Sequence, residues 1–376
     1  MVENIWFWQN IISPHMAGLA EALAERGVAV TYVANRHMSR SRASLGWKVP
    51  ELNRCNLYIA PDVDSIVELV RSAPGNSIHL CQGIRGNGLV SHAQRQLAKR
   101  GLRQWILMET VDDHDWKGGI KRMLYSYLFK RYLDHVDGIL ATGYTTPDWV
   151  ERRGVPAYRI YPFSYFLPEP RKGADYCHKG ATPYRFLFVG QFIPRKRLEF
   201  LIEVMAEFDG YDFELRVVGS GPQEKTYRER AERMIGERVA WVGSKNQEDV
   251  IEEMRASDCL ILPSRHDGWG AVVSESLMVG TPALVSDRCG SAGVVRASSQ
   301  GKVFKADNRK DLREKLEELL KEGRIDLQSR QKLASWARCL GAQAGAEYLL
   351  AVIDSHEYEM PQPTPPWLLD TPGFNS

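Results

Sequence analysis

A chain of 376 residues is too long for one ordinary core and calls for two domains. Its apolar share of 44% argues against wholesale disorder, and a formal charge of +2 excludes the strongly basic profile of a nucleic-acid binder. The charge is uneven: residues 1–168 hold 20 Lys+Arg against 15 Asp+Glu, the remainder 29 against 32, so the basic excess sits in the first half.

The start, MVENIWFWQNIISPHMAGLAEAL, has neither a basic leader nor an unbroken apolar run, so no signal peptide or spanning helix is expected there. Six cysteines without a CxxC pair fit a reduced compartment, and a cytoplasmic protein is expected. NIWFWQ reads as a buried strand. Ser13 then offers an N-cap and Pro14 a first helical position for HMAGLAEALAER, which Gly27 stops before the strand VAVTYVA. Strand–helix–strand is the unit of a parallel, doubly wound sheet. SIHLCQG, QWILMET and GILATG continue the strands, with helices expected over 65–72, 88–100 and 117–134.

Residues 116–133, WKGGIKRMLYSYLFKRYL, carry five basic residues, no acid and several aromatics. Two readings fit: a helix packed on its own sheet with Lys and Arg snorkelling outward, or a helix lying on an anionic membrane. The packed helix is favoured. His79 and His92 stand alone and are read as structural. Asp62-Val-Asp64 and Asp113-His114-Asp115 spell the Asp-x-Asp of metal-dependent transferases, but such triplets arise often by chance, so no metal is expected.

The Pro-, Gly- and charge-rich stretch 169–184 reads as a linker between a first domain, 1–168, and a second, 185–334. There the strands are RFLFVG, FELRVVG, VAWVG, CLILPS and PALVS, with helices at about 197–208, 223–236, 247–256 and 271–279. Residues DNRKDLREKLEELLKEG form a charged helix with Leu312, Leu316, Leu319 and Leu320 on one face. A terminal helix or pair follows, and the Pro-rich tail after Ser355 is expected to be ordered only if docked. Two doubly wound domains leave a cleft, and ligands of such sheets bind beyond the carboxyl ends of the strands.

Three loops in those positions carry chemistry. Gly190-Gln191-Phe192-Ile193-Pro194 leads into Arg195, Lys196 and Arg197 at a helix start. Cations at the end of a helix that prefers anions invite a phosphate to neutralise them. VVGSGPQE places Gly219 and Gly221 after a strand, but Glu224 stands where a dinucleotide fingerprint needs a third glycine, leaving only a tight turn. The third loop is PSRHDGWGAVVSES. Gly268 and Gly270 allow a sharp bend, Asp267 stays in the turn, and Glu275 lies five residues into the next helix, about 7–8 Å along its axis. The helix runs to Gly280, with Pro282 beyond. Two carboxylates flanking a helix N-terminus suit a ligand with hydroxyls at both ends and a diphosphate between them, as in a nucleoside diphosphate sugar. A retaining hydrolase also uses two carboxylates, about 5 Å apart, but leaves the basic loop unexplained.

FLFVGQFIPRKR, RVVGSGP, VAWVG, DGWGAVVSE and SLMVGTPALVSD together resemble glycosyltransferase family 4, whose members are retaining enzymes of the GT-B fold. The resemblance covers most of the chain and is strongest from Phe186 to about Val295. It implies two Rossmann-like domains facing a cleft, with a C-terminal segment, about 335–376, crossing back to the first. It implies transfer of a sugar from a nucleotide donor to a glycan or lipid-linked hydroxyl, with no cofactor or metal, in surface polysaccharide synthesis, peripheral to a membrane. By the same resemblance Lys196 holds the diphosphate and Asp267 the sugar hydroxyls. Gly268, Trp269, Gly270 and Ala271 present the backbone, and Glu275 holds the ribose. Gly190, Gln191, Arg195 and Gly219 complete the donor set. Gln191 stands where the family has an arginine, a charge that Arg195 or Arg197 can replace, and Asp267 is shorter than the usual glutamate. In the first domain, Glu109 or His114 is the candidate contact to the donor sugar. A sugar-nucleotide epimerase, or a non-catalytic nucleotide-sugar-binding protein, fits the same architecture.

Overall fold

The computed structural model describes residues 2–38, 49–84, 88–170 and 183–369. Contacts divide the chain into two compact units. One runs from the N-terminus to Pro168 and takes up Leu340–Pro366; the other is built on Glu169–Cys339. Most of the expected linker, 171–182, lies outside the described residues, and Tyr184 at its end already opens a strand.

The first unit alternates β1 (Asn4–Ile11), α1 (Pro14–Glu25), β2 (Ala29–Arg36), β3 (Asn56–Ile59), α2 (Val63–Ser72), β4 (Ile78–Gln82), α3 (Val90–Lys99), β5 (Arg103–Glu109), α4 (Gly118–Tyr132), β6 (Gly138–Thr142), α5 (Thr146–Glu151) and β7 (Ile160–Phe163). Among the described residues its strands form one parallel sheet ordered β3-β2-β1-β4-β5-β6-β7. Strands covered by helices on both faces need apolar residues at consecutive positions, and β5 supplies them in Trp105 to Met108, all buried.

The second unit repeats the plan with β8 (Tyr184–Val189), α6 (Leu198–Met205), β9 (Phe213–Val218), α7 (Glu224–Met234), β10 (Val239–Gly243), α8 (Gln247–Arg255), β11 (Cys259–Leu262), α9 (Ala271–Met278), β12 (Ala283–Ser286), α10 (Ala292–Ala297), β13 (Lys302–Phe304), α11 (Arg309–Glu322) and α12 (Leu327–Trp336). Its parallel order is β10-β9-β8-β11-β12-β13, so the winding reverses between β8 and β11. At such a switch point the loops leaving the two strands diverge and open a crevice at their carboxyl ends.

The chain then returns to the first unit through α13 (Ala342–Glu357). Leu167 donates to the Leu340 carbonyl at 3.0 Å, and Ala342 donates back to Leu167 at 2.9 Å. Gly345 lies so close to Phe166 that a Cβ there would meet the ring carbon Cγ at 2.2 Å. The return therefore begins at Leu340, not 335, and α12 stays with the second unit. The segment after Ser355 is docked on the first unit at Gln362, which donates to the carbonyls of Ala157 and Ile160 at 3.2 and 3.3 Å.

Both Asp-x-Asp triplets have structural tasks. Asp62 caps α2, accepting from the Ser65 N–H at 2.9 Å. Asp113 accepts from Arg153 at 3.0 Å, the Trp149 indole at 3.1 Å and Arg122 at 3.3 Å. Burial alone raises the Asp113 pKa, but the Trp149 and Arg122 bonds and the Arg153 charge bring it below the usual value. His79 is likewise structural. The Trp8 indole donates to Nδ1 at 3.0 Å, which leaves Nε2–H for the Ser77 hydroxyl at 2.8 Å. Burial, and then the Arg100 charge, pushes its pKa down to about 3, so it stays neutral. Among the described residues no helix is long and apolar enough to cross a membrane.

Candidate functional site

The crevice between β8 and β11 brings the basic loop and the acidic loop together. After β8 the chain runs through Gly190 to Ile193, makes a tight turn over Pro194–Lys196, and passes Arg197 in the left-handed region, φ 60°, before α6. After β11 it runs from Pro263 to Gly270 and enters α9. The two loops are stitched by the Arg265 N–H donating to the Arg195 carbonyl at 2.8 Å and by Arg195 Nη1 donating to the His266 carbonyl at 2.6 Å. Within that frame Lys196 Nζ lies 2.5 Å from Asp267 Oδ2, both side chains 14% exposed, and Arg195 Nη1 lies 3.8 Å from the same oxygen.

The three consecutive cations thus have three different fates. Arg197 turns away to Asp307, 2.9 Å distant, and covers the Phe200 ring at 4.6 Å. Arg195 stays beside Asp267. Asp307 also receives Arg265 at 3.0 Å and Arg288 at 3.8 Å, forming a second charged cluster at the edge of the site.

Gly270 takes φ 85°, and a Cβ there would meet Leu262 Cδ2 at 2.7 Å, so this corner excludes a side chain on two grounds. Among the described residues no side chain caps α9. The N–H groups of Gly268, Trp269 and Gly270 make no backbone hydrogen bond among the described residues. The strand of loop holding them is paired instead through its carbonyls: Gly290 donates to Asp267 at 2.9 Å and Ser291 to Trp269 at 2.8 Å. The Trp269 side chain is buried, its indole donating to Ser274 at 3.0 Å, so this residue offers only its backbone. Beneath the loop, burial first and the Asp267 carboxylate second push the Cys289 thiol up to about 12, which rules it out as a nucleophile.

Glu275 lies further along α9. Gln247 donates from Nε2 to its Oε1 at 3.0 Å. Burial raises the Glu275 pKa, and the Gln247 bond opposes that shift. Gln247 was not legible from the sequence. The signal for it is Asn246, whose side chain caps α8 by accepting from the Asp249 N–H at 2.9 Å and so sets Gln247 at the first turn beyond β10. Asp307 was missed as well, because β13 is only three residues long and the loop after it was not recognised.

The other predicted residues fall differently. Gly219, at φ 136°, is required by its neighbour loop: a Cβ there would lie 2.0 Å from the Gly190 carbonyl oxygen. Gly190 itself donates to Val218 at 3.0 Å, so this glycine pair holds two βα turns against one another. Gln191 is half-buried in the turn that follows, and Ala271 opens α9. Glu109 ends β5 in the first unit and is exposed. His114 is exposed in the loop beyond it, with Nδ1 3.7 Å from Asp112 and 3.8 Å from Asp113.

Residues 178–338 match the family described as glycosyl transferases group 1. An uncharacterized glycosyltransferase of Methanocaldococcus jannaschii is 27% identical over 164 residues, 42% of this chain and 46% of that protein. The chain spans about half the length of the first curated relatives it matches. Among solved structures, the apo lipopolysaccharide outer core galactosyltransferase WaaB covers 95% of this chain and 99% of its own, with TM-score 0.69 and 14% identity. Anabaena HepE in complex with UDP covers 94% and 100%, with TM-score 0.69 and 12% identity. At such identities the structures speak for the fold alone. The glycosyl transferases group 1 match lies across both site loops, within residues 178–338, and the two parallel Rossmann-like sheets give the chain the GT-B architecture.

Proposed function

We propose that the chain is a retaining glycosyltransferase that moves a sugar from a nucleoside diphosphate to an acceptor hydroxyl on a glycan or lipid-linked saccharide of a cell surface. The observation that carries this reading is the Lys196–Asp267 pair beside the uncapped start of α9, with Glu275 on the same helix. Lys196, Arg195 and the N–H groups of Gly268 to Gly270 bind the diphosphate and stabilise the charge that grows on it as the bond from sugar to phosphate breaks. The electron pair goes to the phosphate oxygen, the acceptor oxygen bonds to the anomeric carbon, and its proton leaves to the phosphate. Because side chains and a helix end supply the positive charge, the reaction is read as metal-independent. Asp267 accepts from sugar hydroxyls and Glu275 from the ribose. Glu109 and His114 are the first unit's candidates for contact with the sugar. UDP is the first nucleotide to try, since the HepE structure was solved with it.

Calorimetry with UDP, GDP, ADP and dTDP tests the site. Lys196→Ala is expected to weaken the preferred diphosphate roughly 10- to 100-fold, the worth of a hydrogen bond to a charged group, while leaving the bare nucleoside little changed. Glu275→Gln is expected to weaken nucleoside and nucleotide alike. If both variants bind as the parent does, the assignment fails. Release of nucleoside diphosphate only when an acceptor is present separates transfer from epimerisation and from binding alone.

A further inference from the structure

Helix α4 is apolar on two opposite faces. Phe129 is buried, and Tyr125 and Tyr132 pack with it against the first unit's core, so one face is accounted for. The reverse face carries Ile120, Met123 and Tyr127, which are 59%, 69% and 57% exposed, with Trp116 one turn earlier at 85%. Their spacing of four, three and four residues puts them on one row. Isolated exposed apolar residues are ordinary, but a row of three large ones on a single helix, continued by Trp116 in the turn before it, is a surface built for contact.

The charges choose the partner. Lys121 is engaged with Asp115 at 3.0 Å and Arg122 with Asp113 at 3.3 Å, both away from the row. Lys130 and Arg131 bracket the row at its end, and Lys117 stands at its start over the Trp116 ring, 4.8 Å away. Among the described residues none of these three has an acidic partner, and residues 116–133 contain no acid. Arg131 is held by the Tyr127 hydroxyl at 3.2 Å, which keeps its guanidinium beside the row. A second copy of this chain would set cation against cation across such a face. An anionic bilayer meets both demands, with headgroup charge for the cations and an interfacial zone for Trp, Tyr, Ile and Met.

We propose that this face of α4 docks on an anionic lipid surface, seating Trp116, Ile120, Met123 and Tyr127 at the headgroup boundary under the electrostatic attraction of Lys117, Lys130 and Arg131. The proposal is independent of the sugar-transfer reading, because it is tested without donor or acceptor. Co-sedimentation of the full chain with phosphatidylcholine vesicles, with and without phosphatidylglycerol, is the experiment. Binding is expected only where phosphatidylglycerol is present, and to weaken with added salt. Ile120→Ser/Met123→Ser is expected to lose binding at least ~10-fold, since two large side chains leave the interface. Lys130→Glu/Arg131→Glu is expected to abolish the phosphatidylglycerol dependence. Equal sedimentation with both vesicle types, or parent-like binding by the apolar double variant, overturns the proposal. So does a concentration-dependent dimer that the same variant dissolves while vesicles bind nothing. All four positions are exposed, and matching circular dichroism melts keep the comparison on the surface and not on the fold.

Discussion

Lys196 and Asp267 neutralise one another across 2.5 Å, so a diphosphate bound as proposed would have to compete with a carboxylate for its lysine. Asp267→Asn removes the competitor and the proposed contact to sugar hydroxyls together. The expected outcome is an unchanged or tighter affinity for the nucleoside diphosphate alone, with the extra affinity for the sugar-bearing donor lost. Titrating both ligands reads the two effects separately, and a variant that loses both equally argues against the assigned role. Gln247 offers a second test at this scale. Its amide pulls the Glu275 pKa down against the rise imposed by burial. In Gln247→Leu that pull is gone, so the carboxyl takes up its proton at higher pH. Nucleoside affinity, which on the proposed assignment needs the carboxylate, is then expected to fall off at higher pH than in the parent. An unmoved acid limb of the binding profile would show that Gln247 only packs.

At the scale of elements, what could be read from the sequence followed the strength of the local signal. Long apolar strands such as β1 and helices with Gly or Asn at their ends were legible, and so was the carboxylate pair on either side of the 268–270 bend. β3, β7 and β13 were not, since they are edge strands of three or four residues and depend on a neighbour more than on their own composition. Gly219 was read as a tight turn after a strand, and the neighbour that requires it, the Gly190 carbonyl of the adjacent loop, could not be seen in the sequence. The division of labour among Arg195, Lys196 and Arg197 was invisible because it depends on Asp267 and Asp307, more than seventy residues downstream. The joint between β1 and β4 carries a pH signature. His79 stays neutral in the fold, with its pKa at about 3, whereas an unfolded histidine titrates near 6.5. The stabilisation is therefore complete above the unfolded value and drains away as pH falls toward the folded one. Urea midpoints are expected to drop below about pH 6.5, and His79→Gln, which cannot take up the proton, is expected to flatten that drop. A parallel decline in both proteins would place the acid-sensitive group elsewhere.

For the molecule as a whole, the decisive feature is that the last long helix belongs to the unit that begins the chain. Leu167 and Leu340 meet in space although an entire second domain separates them in sequence. Such an order has consequences on the ribosome. The later-encoded domain has its main body, Glu169–Cys339, once Cys339 has emerged, whereas the earlier one waits for Leu340–Pro366 before its core can close. Stalled nascent chains ending just past residue 339 are expected to resist protease over the second domain and to be cut in the first. Chains released after residue 369 are expected to resist in both, making synthesis of the final helix the step that commits the N-terminal half to its native state.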